Sequence, residues 1–354
     1  MADETNDFLS KTFINSLEKQ LEKAKSQEEA DEIVKKFEDI DLSKIIVEMY
    51  DTMANETTKY LRDTMHEEVM LFRAEEQEFL SRQEQKWGKA FVASESMYIM
   101  VLEASESYLD FVNELPQEEL REQKWTFTAM LHIHGRALQQ FLEILTLMKN
   151  GFADAAYARW RSMYELTIIS SFITKYGENV AKSFIESSET EDRYEWARAS
   201  EIFSTNKKYI SFNDIQKRCN ISSNAWSYHY DLANKTIHAS SQGTFARLGN
   251  MCEGEDIIPV GRSDYGITTP AEHSAISLAQ ITCMFFTLHS SGDSLVAAKY
   301  VNNWIDVIRE IYFKTHDVVF PNEKKLWEAF EQTLFENKSD FVASDENGNK
   351  LKES

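Results

Sequence analysis

The chain has 354 residues, a net charge of −21, and only 4 Pro and 11 Gly against 22 Phe, 14 Tyr and 7 Trp. That length supports a large core, and the scarcity of Pro and Gly favours long helices with few turns. Cys219, Cys252 and Cys283 stand apart with no CxxC, which points to a reduced cytoplasmic setting. The acidic, polar start MADETNDFLSKTF reads against a secretory signal.

The charge is uneven. Residues 1–130 carry 30 acids and 15 bases, residues 131–250 carry 12 and 14, and the remainder carries 17 and 9. The acidic flanks repel nucleic acid, and an anionic ligand such as RNA is tolerated only at the near-neutral centre.

In chain order, Phe8 to Phe37 give a helix signal over 8–39, and Asp41-Leu42-Ser43 opens the next helix. From about 56 to 113 there is no Pro and a single Gly, Gly88. Val69, Phe72, Phe79 and Leu80 recur there among Glu, Gln and Arg, predicting a long solvated helix, as in a helical-hairpin arm or coiled-coil seam. Leu115-Pro116 stops it and opens another. Leu131, His134, Leu138, Phe141, Leu142, Leu145 and Met148 make one apolar stripe. Lys149-Asn150-Gly151 ends that helix with a basic turn and a C′ glycine. A helix over Ala153–Tyr176 follows, stopped by Gly177 and antiparallel to the previous one. Further helices are predicted at about 178–187, 190–204, 211–219 and 223–238.

Five glycines between 243 and 266 then mark a long loop, with a small hairpin at IIPVGRSDYGI. Ser274–Gly292 carries no charge, yet its Gln, His, Ser and Thr fit a buried core helix better than a membrane span. Helices at about 293–316 and Lys325–Phe335 precede a polar, disordered tail. The fold expected is all-α, a helical bundle core with a Gly-rich loop. Its parts are an acidic helical N-terminal region over 1–122, the core over 123–320, and a C-terminal helix and tail over 321–354.

One pair breaks the pattern. On a helix, Arg161 and Glu165 fall in the middle of a stripe that also holds Tyr157, Ile168 and Phe172. Arg before Glu is the weaker order for helix stability, so propensity does not account for the pair. Either it braces a neighbouring helix, or Arg161 holds a phosphate or carboxylate while Glu165 orients a histidine. His238 closes the 223–238 signal and faces the loop with Ser240. Tyr228, Asp231, Lys235 and His238 fall on one helical side, offering a phenol, an acid, a base and an imidazole. His132 and His134 point apart on a helix, and no histidine has a partner at metal-ligand spacing, so neither metal nor cofactor is expected.

The stretch RALQQFLEILTLMKNGFADAAYARWRSMYEL, followed by SYHYDLANKTIHASSQG, resembles a widespread bacterial helical domain family of unknown function. The resemblance rests on Lys149-Asn150-Gly151, Arg161-Ser162-Met163-Tyr164-Glu165 and Tyr228…His238-Ala239-Ser240, and covers roughly residues 125–300. Members look like phage-defence, mobile-element or accessory proteins. Because a fold or family likeness by itself transfers no activity, the expectation is a non-catalytic interaction, sensor or regulatory module that binds a protein partner or a second copy through its helices, away from membranes. A remoter likeness is to the metal-independent HEPN ribonucleases, which place an Arg four to six residues before a His on one helix. Here Asn234 to Ile237 precede His238 and no Arg does, so Arg161 would be supplied by another helix. That likeness implies a ribonuclease in which Arg161 binds phosphate, Glu165 orients His238, and His238 acts as acid and base. Tyr228 and Lys235 would assist, with Tyr157 and Ser240 at the ligand.

Overall fold

The structure is a computed structural model that describes residues 14–38, 42–190, 193–203, 206–221, 227–237, 241–245, 248–249, 258, 260–323 and 325–339. It is all-α, with no strand among the described residues. The chain divides into two compact units, residues 1–76 and 77–354.

The first unit holds a helical stretch over 14–21 (α1), helix α2 (Gln27–Glu38), and residues 42–76 of helix α3, which spans Leu42–Asn113. Ser26 caps α2 by accepting from the amide of Glu29 at 3.2 Å. Glu28 and Glu29 sit in its first turn and Lys35 and Lys36 in its last, each opposing the nearer end of the helix dipole. The single helix signal read over 8–39 therefore breaks at residues 22–26, where Ser26 competes for the backbone.

In the second unit, residues 77–113 of α3 bury Trp87, Phe91, Met97, Val101, Tyr108 and Val112 along one stripe. Pro116 stands just before α4 (Gln117–Glu122), and then come α5 (Lys124–Lys149) and α6 (Ala153–Tyr176). The predicted stripe of α5 packs inward at His134, Leu138, Phe141, Leu145 and Met148, while His132 is exposed. Gly151 turns the chain with φ of +77°, and the amide of Phe152 bonds the carbonyl of Leu147 at 2.9 Å, closing the helix end. Gly177, at φ of +76°, ends α6, and α7 (Glu178–Glu186) follows.

Of residues 190–204, expected as helix, the described ones form instead a 3-10 stretch at Glu195–Ser200 closed by Glu201 at φ of +60°, after another 3-10 turn at Ser187–Glu189. The Ser187 and Thr190 hydroxyls donate to nearby carbonyls and divert the chain from an α ladder. Helices α8 (Phe212–Gln216) and α9 (Ser227–Ile237) come next. A short helix α10 (Ser241–Phe245) lies inside what reads as loop. Residues 258 and 260–267 run without strand, and residues 257 and 259 of the predicted hairpin lie outside the described residues. Of the polar tail expected to be disordered, residues 336–339 are helical and 340–354 lie outside the described residues.

Helix α11 (Thr268–Phe286) is the centre of the bundle, packed on α5, α6 and α12 (Gly292–Val319). Its charge-free sequence buries Ala275, Leu278, Ala279, Ile281, Phe285 and Phe286 almost completely. No described helix is long and apolar enough to cross a membrane. Helix α13 (Leu326–Ser339) begins where the Asp317 carboxylate accepts from the amides of Leu326 and Trp327, at 2.8 and 3.2 Å.

Candidate functional site at the α6–α9 junction

Helix α6 carries bulky apolar residues on two sides and has no clean polar face, so it sinks into the bundle between α5, α11 and α9. Its charged pair is thereby carried to the junction with α9. The Arg161 guanidinium meets the Glu165 carboxylate at 2.8 Å, and their side chains are 21% and 10% exposed.

The pair is embedded in further bonds. Tyr230 donates its hydroxyl to Glu165 Oε1 at 2.8 Å and accepts from Arg161 Nη2 at 3.1 Å. Arg161 Nε donates to the side-chain oxygen of Asn234, one turn beyond Tyr230 on α9. The guanidinium also lies 5.2 Å from the Tyr230 ring centre, at cation–π distance. Arg193 donates to Glu165 Oε2 at 3.0 Å from the stretch before the 195–200 turn. Both oxygens of the carboxylate are thus engaged by three donors. Burial, reinforced by the Glu165 charge, raises the Tyr230 phenol far above its ordinary range, so it stays protonated and donates.

One turn earlier, Tyr157 is fully buried and donates to the carbonyl of His229 at 2.9 Å. The His229 ring stands 4.3 Å from that of His273 on α11, edge to face, and Trp160 closes on His273 from another side at 4.8 Å. Burial, and secondarily the neighbouring His229, pushes His273 down to about 3. Burial also lowers His229, against the opposing pull of Glu272. Both imidazoles are therefore neutral near pH 7 and not cations. Glu272 pairs with Arg309 of α12 at 2.6 Å. At the head of α6, Asp154 accepts from the amides of Leu248 and Gly249 at 2.7 and 3.3 Å and pins that segment.

The junction therefore gathers Arg161, Glu165 and Tyr157 as one seam along α6, with Tyr157 facing His229. Tyr228 is 69% exposed and Lys235 is exposed as well, on the solvent side of α9. His238 and Ser240 lie outside the described residues. Sequence reasoning missed Arg193, His229, Tyr230, Asn234 and His273. For α9 a signal was present: Asp231 and Lys235 mark its solvent side, which leaves His229, Tyr230, Ala233 and Asn234 for the packed side, and Ala233 is completely buried. Among the described residues no three His, Cys, Asp or Glu come together to hold a metal ion.

Comparison with the curated proteins and with the solved structures yields no match. Residues 127–256, a shorter span than the resemblance covers, match the model of a Family of unknown function (DUF5677), so the Arg161–Glu165 network lies wholly within the part of the chain that is similar to this family.

Proposed function

We propose that the chain is a non-catalytic helical interaction module, of the sensor or regulatory kind, and that the Arg161–Glu165 network braces the junction through which α9 and the following segment are held. The observation that carries this reading is the state of Glu165. Its carboxylate is buried and bound by Arg161, Arg193 and Tyr230. A carboxylate engaged in this way fixes helices relative to one another; a carboxylate that orients a catalytic imidazole keeps an oxygen for it. Service in bacterial phage defence or stress rests on the family resemblance.

A second reading is favoured by one observation. Arg161 keeps about a fifth of its side chain exposed, and His238 stands four residues beyond Asn234, the residue that holds the guanidinium. In that reading the chain is a metal-independent ribonuclease with Arg161 on phosphate and His238 as acid and base.

The experiment separates the two. Purified wild type, Arg161→Ala, Glu165→Gln and His238→Ala are melted thermally and incubated with single-stranded RNA in chelator. A brace predicts lowered melting for the first two variants, unchanged melting for His238→Ala, and intact RNA throughout. Cleavage by wild type that disappears in His238→Ala at unchanged melting temperature establishes the ribonuclease instead.

A further inference from the structure

A cavity of about 680 Å³ opens between the later turns of α3 and the start of α12, and it shares no residue with the α6–α9 network. Trp304 donates to the carbonyl of Ala93 at 2.9 Å and Tyr312 shares a hydrogen bond with Ser94, so the two antiparallel helices are closed at that end. Further along, Glu103, Ser107 and Phe111 line one wall and Asp293, Val296 and Tyr300 the other. The size is that of a small-molecule site.

The chemistry of the walls selects a cation. No lysine or arginine is among the described residues that line the cavity, whereas Glu103 and Asp293 both do and both are exposed. From residue 90 to residue 120 the sequence has seven acids and no base, so the field along the α3 wall is negative throughout. The positive end of the α12 dipole does not reverse this. Ser291 accepts from the amide of Ser294 at 3.0 Å, and Asp293 stands in the first turn. The Tyr108 hydroxyl donates to the carbonyl of Phe285 and accepts from the amide of His289, both at 3.1 Å, so Tyr108 offers the cavity its ring. Phe111 and Tyr300 add two more rings, and aromatic faces attract organic cations.

The two carboxylates stand apart. Burial, and secondarily the Glu103 charge, raises the Tyr300 phenol, which sets Glu103 at the Tyr300 end of the cavity. Asp293 lies seven residues before Tyr300, ~10 Å back along the helix axis. Val296 and Ala297 occupy the stretch between and make it apolar. A metal ion needs ligands that converge on one point, which carboxylates at opposite ends do not supply.

We propose that this cavity binds a linear aliphatic polyamine of about the length of spermidine, with its outer ammonium groups against Glu103 and Asp293 and its methylene chain on Val296 and Ala297. The assignment goes beyond the interaction-module reading. It gives a sensor a ligand without touching Arg161 or Glu165, so either can fail alone.

The test is equilibrium dialysis of the full chain against radiolabelled spermidine in about 100 mM NaCl, with a thermal melt of every variant. Wild type takes up one spermidine per chain, saturably below about 1 mM. Glu103→Gln and Asp293→Asn each weaken binding about 3- to 5-fold, and together at least about 10-fold, the scale of exposed ion pairs. Val296→Arg changes a residue that is 63% exposed, sets a cation in the wall, and abolishes uptake at unchanged melting temperature. The shorter 1,4-diaminobutane does not reach both carboxylates and binds at least about 10-fold more weakly than spermidine. Glu106→Gln, on α3 but outside the cavity lining, leaves uptake unchanged and separates local pairing from the overall acidity of the chain. Absence of saturable uptake up to about 1 mM overturns the proposal, as does uptake indifferent to the Glu103 and Asp293 variants or weakened equally by Glu106→Gln. A wild type that ignores spermidine but binds an amphipathic lysine–leucine peptide also overturns it, and makes the cavity a groove for a basic protein segment.

Discussion

Replacing Glu165 by Gln isolates the charge at the centre of the α6–α9 junction while keeping its shape. The best placement of the amide sets its oxygen where Oε1 receives Tyr230 and Arg161, and turns its NH2 toward Arg193. Arg193 is 65% exposed and swings into water, so its loss contributes at most a few tenths of a kcal/mol. Arg161 is only 21% exposed, loses its counter-charge and keeps a weaker neutral bond. Charge-assisted bonds are worth about 1–1.5 kcal/mol more than neutral ones, and a half-desolvated cation adds about another, for a total of about 2 kcal/mol. In urea denaturation followed at 222 nm this appears as a lower midpoint with unchanged slope, and in a thermal melt as a drop of about 4–8 °C. A cycle with Arg161→Met sharpens the result: the coupling between the two positions is at least about 1 kcal/mol, because each single change strands the other group. A Glu165→Gln protein as stable as wild type to within about 0.5 kcal/mol, or additive single and double variants, refutes the brace.

Two glycines, one in α5 and one at its end, behave oppositely. A Cβ at Gly151 meets the Phe79 ring and the Ser263 amide nitrogen, the latter at 2.9 Å, on a backbone already at φ of +77°; Gly151→Ala therefore costs at least about 2 kcal/mol in urea denaturation. Gly135→Ala, exposed in the middle of α5 with nothing within 4 Å of the new methyl, stabilises by about 0.5–1 kcal/mol by the same measurement. Burial holds His134 down to about 4 against an ordinary 6.5, so the unfolded chain binds more protons between those values; its contribution is full above pH 6.5 and falls as the pH drops toward 4. From pH 7 to 5 the wild type thus loses roughly 2 kcal/mol through this group alone, and His134→Gln, which does not titrate in this range, shows a correspondingly flatter urea-midpoint profile. Tyr157→Phe removes the hydroxyl that holds the carbonyl of His229 and costs about 1–2 kcal/mol without altering helix content.

Much of this fold is written in local spacing. The α5 stripe ends at Gly151 because a periodic apolar face, a basic last turn and a residue free to adopt positive φ coincide within a few positions. The oddity of Arg161 and Glu165 was equally legible, since a charged pair on an apolar stripe calls for partners. Their partners were not legible. Tyr230 and Asn234 come from a helix about 70 residues away, and Arg193 from a stretch whose serine and threonine turns override its helical composition. His229 and His273 meet only because α9 and α11 pack on adjoining sides of α6, a fact no window of sequence contains.

The choice between the two faces of α9 shows what decides such cases. One face, with Tyr228, Asp231 and Lys235, offers more chemically active groups; the other offers His229, Tyr230, Ala233 and Asn234. Turning the first face inward would bury a carboxylate and an ammonium on one short helix against a junction that already holds Arg161, Glu165 and Arg193. Turning the second inward buries a methyl, two aromatic rings and an amide, each of which fits a group on α6: Ala233 allows close approach, Tyr230 bridges the ion pair, Asn234 receives the guanidinium, and the carbonyl of His229 receives Tyr157. Desolvation cost therefore orients the helix, and the groups that cost least to bury are the ones that complete the network. The same rule explains why a richer list of titratable side chains along a helix is poor evidence for a site: charged residues gather on the face that water keeps.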